Sequence, residues 1–133
     1  MIALALATVI AVSGAWARPA IGTGVVYLRI ANRGSTADRL DAARTPVARA
    51  VEIHRSNEGS ASMNGMKMSG VMSMERVPAV TIPAHGRMTF APGGYHLMAI
   101  GLRHDLHPNE RFALQLHFAT AGWTTATVDV RPI

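Results

Sequence analysis

The chain has 133 residues, of which 49% are hydrophobic and 16% charged, a balance typical of one compact domain and not of a disordered chain. The formal net charge is +5, but the arginines fall singly along the chain and only seven residues are aromatic, so no basic stripe or base-stacking platform indicates nucleic-acid binding. Cysteine is absent, which excludes disulfides, catalytic thiols, Cys-ligated zinc and the Cys-containing blue-copper site.

The N-terminus has the pattern of an export signal. Residues 2–14 form an apolar run of the length of a signal-peptide core, and Ala15-Trp16-Ala17 follows as a small-x-small cleavage site. We therefore predict a signal peptide over residues 1–17 and a mature domain over residues 18–133. No basic residue precedes the apolar run, which indicates that the signal extends upstream of Met1. The alternative is that this segment is an N-terminal core strand or helix.

The rest of the chain alternates with period two between Gly and Pro punctuation, which predicts an all-β Greek-key sandwich or small barrel. Residues 55–70, rich in Ser, Gly and Asn, are predicted to form a loop. Tyr27 and Trp123 are expected in the core. The predicted strands cover residues 25–31, 47–54, a segment beginning at Met72, and residues 80–82, 87–90, 95–100, 112–118 and 124–130.

Histidine and methionine side chains form a candidate metal site. His96 and Met98 are two residues apart and project from one face of a predicted strand, where both can reach one ion. His54 ends an earlier strand and Met74 begins another, so both are candidates to complete the coordination. Thioether and imidazole donors suit Cu⁺, whereas Zn²⁺ and Fe²⁺ sites rarely accept thioethers. The pattern therefore favours copper.

The methionines are clustered. Five of the eight lie between residues 63 and 74, several of them among polar residues where packing gives no reason for them. We interpret four of these as an accessory thioether segment, namely Met63, Met66, Met68 and Met72. The alternative for the whole set is a hydrogen-bonded histidine among ordinary core methionines.

The order of several motifs resembles the PCu(A)C family of periplasmic copper chaperones. Met74, His96 and Met98 fit the second part of the family's H(M)-x10-M-x21-H-x-M pattern, because 21 residues separate Met74 from His96 and one separates His96 from Met98. The resemblance covers nearly the whole chain after residue 17. The matching segments are Val26-Tyr27-Leu28, Asn32 to Leu40, Glu52-Ile53-His54, Val71 to Val77, Ile82 to Gly86 and Pro92 to Met98.

The first ligand of the family pattern has two candidates. His54 has the expected Glu-Ile-His context, but 19 residues separate it from Met74 where the family has ten. Met63 satisfies the spacing literally. We prefer His54, since strand context fixes a position better than a count across a lengthened segment, and keep Met63 as a substitute or transient ligand.

The resemblance implies a cupredoxin-like β-sandwich or barrel in the periplasm that is not an enzyme. It implies binding of one Cu(I) at an exposed rim and delivery to a haem-copper (cytochrome c) oxidase during assembly. The partner would be a copper-accepting oxidase subunit or another copper chaperone, with peripheral membrane contact allowed and a monomeric carrier expected. The alternatives are a periplasmic copper storage or resistance protein, a copper oxidase or oxygenase, and a secreted β-sandwich module without metal.

Overall fold

The computed structural model describes residues 9–63 and 66–132, with the side chains of residues 57–73 left out of that description. Within this part of the chain all regular secondary structure consists of β-strands. It contains no helix long and apolar enough to cross a membrane. The strands are β1 (Ile10–Ala17), β2 (Thr23–Asn32), β3 (Asp38–Arg44), β4 (Ala48–Met63), β5 (Met66–Arg76), β6 (Val80–Ile82), β7 (Arg87–Phe90), β8 (Tyr95–Leu102), β9 (Arg111–Phe118) and β10 (Gly122–Val130).

In the described residues, seven strands close a barrel in the order β4-β8-β2-β1-β10-β9-β3. The barrel closes where β3 returns to β4 through the pair Ala43 and Val51. Strand β5 extends outward along β4, β6 pairs with β3, and β7 pairs with β2 beside β8. The predicted all-β class is confirmed, and closure leaves the body of the sheet without a free edge.

The barrel interior is filled by alternate residues of each strand. Leu114, Leu116 and Phe118 of β9 are fully buried, while the residues between them are more exposed, as the period-two pattern predicted. Burial of each such side chain stabilises the fold by about 1.5–3 kcal/mol. Ile53 of β4 and Leu97 of β8 also belong to this core. The residues that alternate with them therefore lie on the outer surface of the barrel.

Strand β1 occupies residues that sequence analysis assigned to the export signal. It lies between two partners, antiparallel to β2 and parallel to β10. Ile10, Ala15 and Ala17 are buried in the core. Small and apolar residues suit both a signal peptide and a barrel strand, which is why the sequence pattern was ambiguous. Cleavage after Ala17 would remove a strand that pairs along its length with β2 and, at Trp16 and Ala17, with β10.

The loop predicted over residues 55–70 is wrong, because β4 continues to Met63 and β5 begins at Met66. The two strands are paired from His54 and Arg76 out to Met63 and Met66. Antiparallel pairing is made by backbone groups, so it does not require apolar alternation in the side chains. The missed signal was Asn64-Gly65, a dipeptide that favours two-residue hairpin connections.

Two further expectations need correction. Strand β3 was not predicted, although its Leu40 is fully buried between charged neighbours.

Tyr27 is buried as expected, but Trp123 is 46% exposed and stacks under Arg44, whose guanidinium carbon lies 4.0 Å from the ring centroid. An aromatic side chain on the outer face of a strand is stabilised here by its cation-π contact.

Candidate metal site

The pairing of β4 with β8 brings two predicted ligands together. His54 lies directly opposite His96, and their ring centroids are 5.6 Å apart. The other edge of β4 pairs with β5, where Arg76 lies opposite His54. His54 is therefore on the middle strand of three, with one neighbour that carries His96 and another that carries Met74.

Both predicted methionine ligands lie on the same sheet face as the histidines. Met98 follows His96 by two residues on β8, and Met74 lies opposite Ser56, two residues beyond His54 on β4. His96 is only 3% exposed, whereas Met74 is 55% exposed. The four residues thus share one sheet face, with a buried imidazole at His96 and an exposed thioether at Met74.

One nitrogen of each imidazole is held by a neighbouring oxygen. His54 Nε2 lies 2.9 Å from Glu52 Oε1, and the other oxygen of Glu52 is 3.6 Å from Arg76 Nη1. His96 Nδ1 lies 3.4 Å from the carbonyl oxygen of Gly94. A histidine that donates one ring N–H to a carboxylate or carbonyl presents its other nitrogen with a free lone pair, which is the usual arrangement of a metal-binding histidine.

The remaining ring nitrogens are buried without a partner. Among the described residues, His54 Nδ1 and His96 Nε2 are two of three buried side-chain polar atoms that make no hydrogen bond. A buried polar atom without a partner costs free energy that a bound ligand would recover. The structure therefore leaves one donor atom on each histidine for a metal ion.

The charge states suit metal binding. Burial lowers the pKa of His96, and the proximity of His54 lowers it further, against the opposing effect of the Gly94 carbonyl. Neutral imidazole, the form that coordinates metals, is thereby favoured. The hydrogen bond from His54 lowers the pKa of Glu52, partial burial opposes this, and the charge of Arg76 lowers it further. Glu52 is thus held as the carboxylate that orients His54.

The accessory methionines lie along the β4–β5 hairpin, and their side chains lie outside the described part of the structure. Met63 ends β4, nine residues beyond His54, which corresponds to about 30 Å of extended strand. Backbone pairing joins Met63 to Met66, Met68 to Ala61 and Met72 to Glu58. Of the two candidates for the first ligand, His54 is therefore the one whose backbone lies beside His96.

The donor set distinguishes classes of ion. Among the described residues, no three His, Asp or Glu side chains converge as a metal site would require. Hard ions such as Mg²⁺ and Ca²⁺ need several oxygen ligands, and among the described side chains of this face Glu52 is the carboxylate beside the histidines. Two imidazoles with two thioethers suit a soft ion, and Cu⁺ is the biological ion with that preference.

Residues 10–130 match the family model described as "Putative lipoprotein LpqE-like". The chain belongs to the LpqE-like family. The match begins at the first residue of β1, so the family pattern includes the strand that sequence analysis assigned to the export signal. A curated relative, "Putative lipoprotein Lxx21020" of Leifsonia xyli subsp. xyli, is 26% identical over 122 residues, covering 90% of this chain and 68% of the relative.

Solved PCuAC domains share the fold of this LpqE-like protein. The copper-bound PCuAC domain from PmoF2 superposes with a TM-score of 0.72 at 21% identity, covering 94% of each chain. The apo PCuAC domain from PmoF1 gives 0.71 at 21% identity, over 93% of this chain and 95% of that one. The CuI-DR1885 solution structure from Deinococcus radiodurans gives 0.66 at 27% identity, over 97% and 81%. The resemblance to the PCu(A)C family and the cupredoxin-like barrel are confirmed.

Proposed function

We propose that this LpqE-like protein is an exported Cu(I) chaperone that binds one ion through His54, His96, Met98 and Met74. The observation that carries the proposal is the pair of buried ring nitrogens, His54 Nδ1 and His96 Nε2, which lack partners on a face that also carries two thioethers. The copper-bound state of the PmoF2 domain and of DR1885 supports copper as the cargo.

The burial gradient supports a mechanism of loading and release. His96 is buried and held by Gly94, so it forms the fixed part of the site, while Met74 at the edge is accessible to a partner. A partner's donor atom displaces the exposed thioether first and the imidazoles later, so copper passes between proteins through shared coordination. Thioethers carry no proton to lose, and they do not form disulfides in an oxidising compartment.

We further propose that the acceptor is a copper-accepting subunit of a haem-copper oxidase, or another copper chaperone, reached in the periplasm by a monomeric carrier. The lipoprotein description of the family and of the Leifsonia relative supports export. In this proposal the targeting segment precedes Ile10, because β1 is part of the barrel. The protein acts as a carrier and not as an enzyme, since thioether-rich ligation disfavours the Cu²⁺ state that an oxidase cycle needs.

Met63, Met66, Met68 and Met72 are proposed as accessory thioethers that collect Cu⁺ and lead it along the hairpin toward the main site. Their backbone positions support this, because the hairpin begins at the pair His54 and Arg76 and all four methionines lie farther along it. In this scheme Met63 is a transient ligand and His54 the resident one.

A Cu⁺ titration against a chromogenic chelator tests the binding proposal. We expect one tightly bound ion for the chain that includes β1, and at least about tenfold weaker binding for His54→Ala, His96→Ala and Met98→Ala. Matched controls are Met63→Ala on the hairpin and His104→Ala on an exposed turn, both of which should retain the main site. A wild-type protein that fails to compete with a weak chelator contradicts the proposal.

Delivery needs a separate experiment. The Cu⁺-loaded protein is mixed with a purified apo copper-accepting oxidase domain, and the copper content of each is measured after separation. Transfer that persists when a chelator scavenges free copper supports direct exchange. Retention of all copper by the loaded protein contradicts delivery to this acceptor and leaves storage as the function.

A further inference from the structure

A concave surface lies on the outer face of β1, β2 and β7, away from His54 and His96. Arg29 of β2 lies opposite Ser13 of β1 and Thr89 of β7, while Ala31, two residues farther along, lies opposite Ala11 and Arg87. Arg29 and Arg87 are therefore diagonal neighbours on one face. The small side chains of Ala11 and Ala31 lie between the longer ones, and the result is a groove.

A third arginine and a histidine come from the ends of this surface. Arg33 follows β2, and His85 lies in the turn between β6 and β7 with a positive φ of 56°. The Arg33 N–H donates to Val9, the His85 N–H to Gly34 and the Asn32 N–H to Gly86, at 2.8–3.0 Å. These backbone hydrogen bonds fix the turn against the end of β2. The basic side chains therefore extend from rigid backbone and not from a free loop.

A glycine makes room for the central arginine. Gly14 on β1 has a φ of +62°, and a Cβ atom at this position would lie 2.6 Å from Nη2 of Arg29. The guanidinium of Arg29 thus lies against the β1 backbone in space that any other residue would fill.

The charge of the groove is not balanced within the described protein. The groove has a volume of about 510 Å³, and no acidic residue is among those that line it. The ion pairs found among the described residues involve Arg55, Arg76 and Arg111, and none involves an arginine of the groove. Three guanidinium groups close together repel one another, and an anion between them removes that repulsion.

We propose that this groove, defined by Arg29, Arg33, His85 and Arg87, binds a phosphate group, either free or in the headgroup of an anionic lipid. Guanidinium groups match the geometry of phosphate oxygens, with which they form paired charge-assisted hydrogen bonds. Ser13 and Thr89 place hydroxyl donors beside them on the same face. The volume is in the range of small-molecule sites and accommodates a headgroup.

Two experiments test the proposal on the whole protein. The first follows its amide chemical shifts during titration with inorganic phosphate. The second measures its co-sedimentation with phosphatidylcholine vesicles prepared with and without phosphatidylglycerol. Saturable shifts at residues 29–33 and 85–89 with phosphate identify a free anion as ligand. Sedimentation only with the phosphatidylglycerol vesicles identifies the lipid headgroup. Either result supports the proposal, and absence of both overturns it.

Variants decide whether the groove itself is responsible. The double variant Arg29→Gln, Arg87→Gln should weaken binding about tenfold or more. The charge-matched double control Arg49→Gln, Arg103→Gln, with one arginine on β4 and one directly after β8 and neither in the groove, should retain it within about twofold. Equal losses in both variants would show an effect of net charge alone and overturn the proposal. Unchanged thermal unfolding checks the fold of each variant, and Cu⁺ binding by the double variant separates this site from the metal site.

Discussion

At the residue scale, the histidine site depends on contacts that a ligand pattern does not contain. Glu52 precedes His54 by two residues on the same strand face, and its carboxylate accepts the Nε2 hydrogen of His54 at 2.9 Å. The Gly94 carbonyl has the same relation to His96 Nδ1. These two oxygens select the ring nitrogens that remain for a metal ion and fix the orientation of both rings.

Replacement of Glu52 should therefore weaken copper binding although Glu52 is not itself one of the proposed ligands. We expect Glu52→Ala to lower Cu⁺ affinity by about 10–100-fold, because His54 loses the acceptor that fixes its ring. Glu52→Gln, which keeps an oxygen acceptor, should recover part of the loss. The control is Glu75→Gln on β5, whose exposed carboxylate pairs with Arg55. Chelator competition measures all three, and equal affinity of Glu52→Ala and wild type would contradict the orienting role.

Asp38 has a structural role at the start of β3. Its carboxylate accepts backbone N–H groups of Arg39, Thr120 and Ala121 at 2.7–2.9 Å while it is 7% exposed. Burial alone would raise the pKa of Asp38, but the three backbone donors together outweigh it and lower the pKa. The ionised side chain thus joins β3 to the turn that links β9 and β10.

This shift predicts how stability depends on pH. Because the folded pKa of Asp38 is lowered, its contribution to the free energy of unfolding is present above the ordinary aspartate pKa and is lost as the pH falls through the folded value. Asp38→Asn should cost about 2 kcal/mol at pH 7, and the difference from wild type should shrink below about pH 4. Urea unfolding of both proteins from neutral to acidic pH measures this. A difference that stays constant with pH would contradict it.

At the scale of elements, strands with regular apolar alternation were predicted well, whereas strands without it were missed. Strand β9 and most of β2, β8 and β10 were predicted because one face of each is buried and the other is not. Strand β3 was missed because its backbone partners come from distant strands, and the β4–β5 hairpin was missed because its polar residues lack apolar alternation. Strand β1 was assigned to a signal because its local sequence fits both structures equally well.

The role of β1 can be tested by truncation. A chain of residues 18–133 lacks the strand between β2 and β10, so two rows of backbone groups lose their partners and Val26, Leu28 and Val128 lose apolar contacts. We expect this chain to lose cooperative thermal unfolding, which residues 9–133 should retain. Circular dichroism during heating makes the comparison. Equal thermal unfolding midpoints for the two chains would contradict this expectation and support β1 as a segment that can be removed.

At the scale of the whole molecule, the net charge acts on how a partner approaches the proposed metal site. The formal net charge is +5, and the proposed metal site includes the exposed Met74. A basic carrier is attracted to acidic partners over distances of about 8 Å at physiological ionic strength. Docking at the accessible edge would then bring a partner's donor atoms to the copper ligands.

Copper transfer should therefore depend on salt. We expect the second-order rate of Cu⁺ transfer to an acidic acceptor domain to fall as ionic strength rises, with the affinity of the isolated protein for Cu⁺ little changed, since screening acts on encounter and not on coordination. Stopped-flow measurement of the transfer rate at increasing salt concentration provides the test. A rate independent of salt would show that net charge has no part in recognition.

Composition and alternation along single strands are enough to establish the all-β class, the absence of thiol chemistry and the types of candidate ligand. Which of these ligands meet depends on how the strands pair in space. His54 lies beside His96 through the pairing of β4 with β8, strands more than thirty residues apart in sequence, whereas Met63 is carried away along the hairpin. The basic groove has the same origin, since Arg87 joins Arg29 and Arg33 only through the register of β2 with β7. Register between distant strands is fixed by the packing of the whole core, and no local pattern contains it.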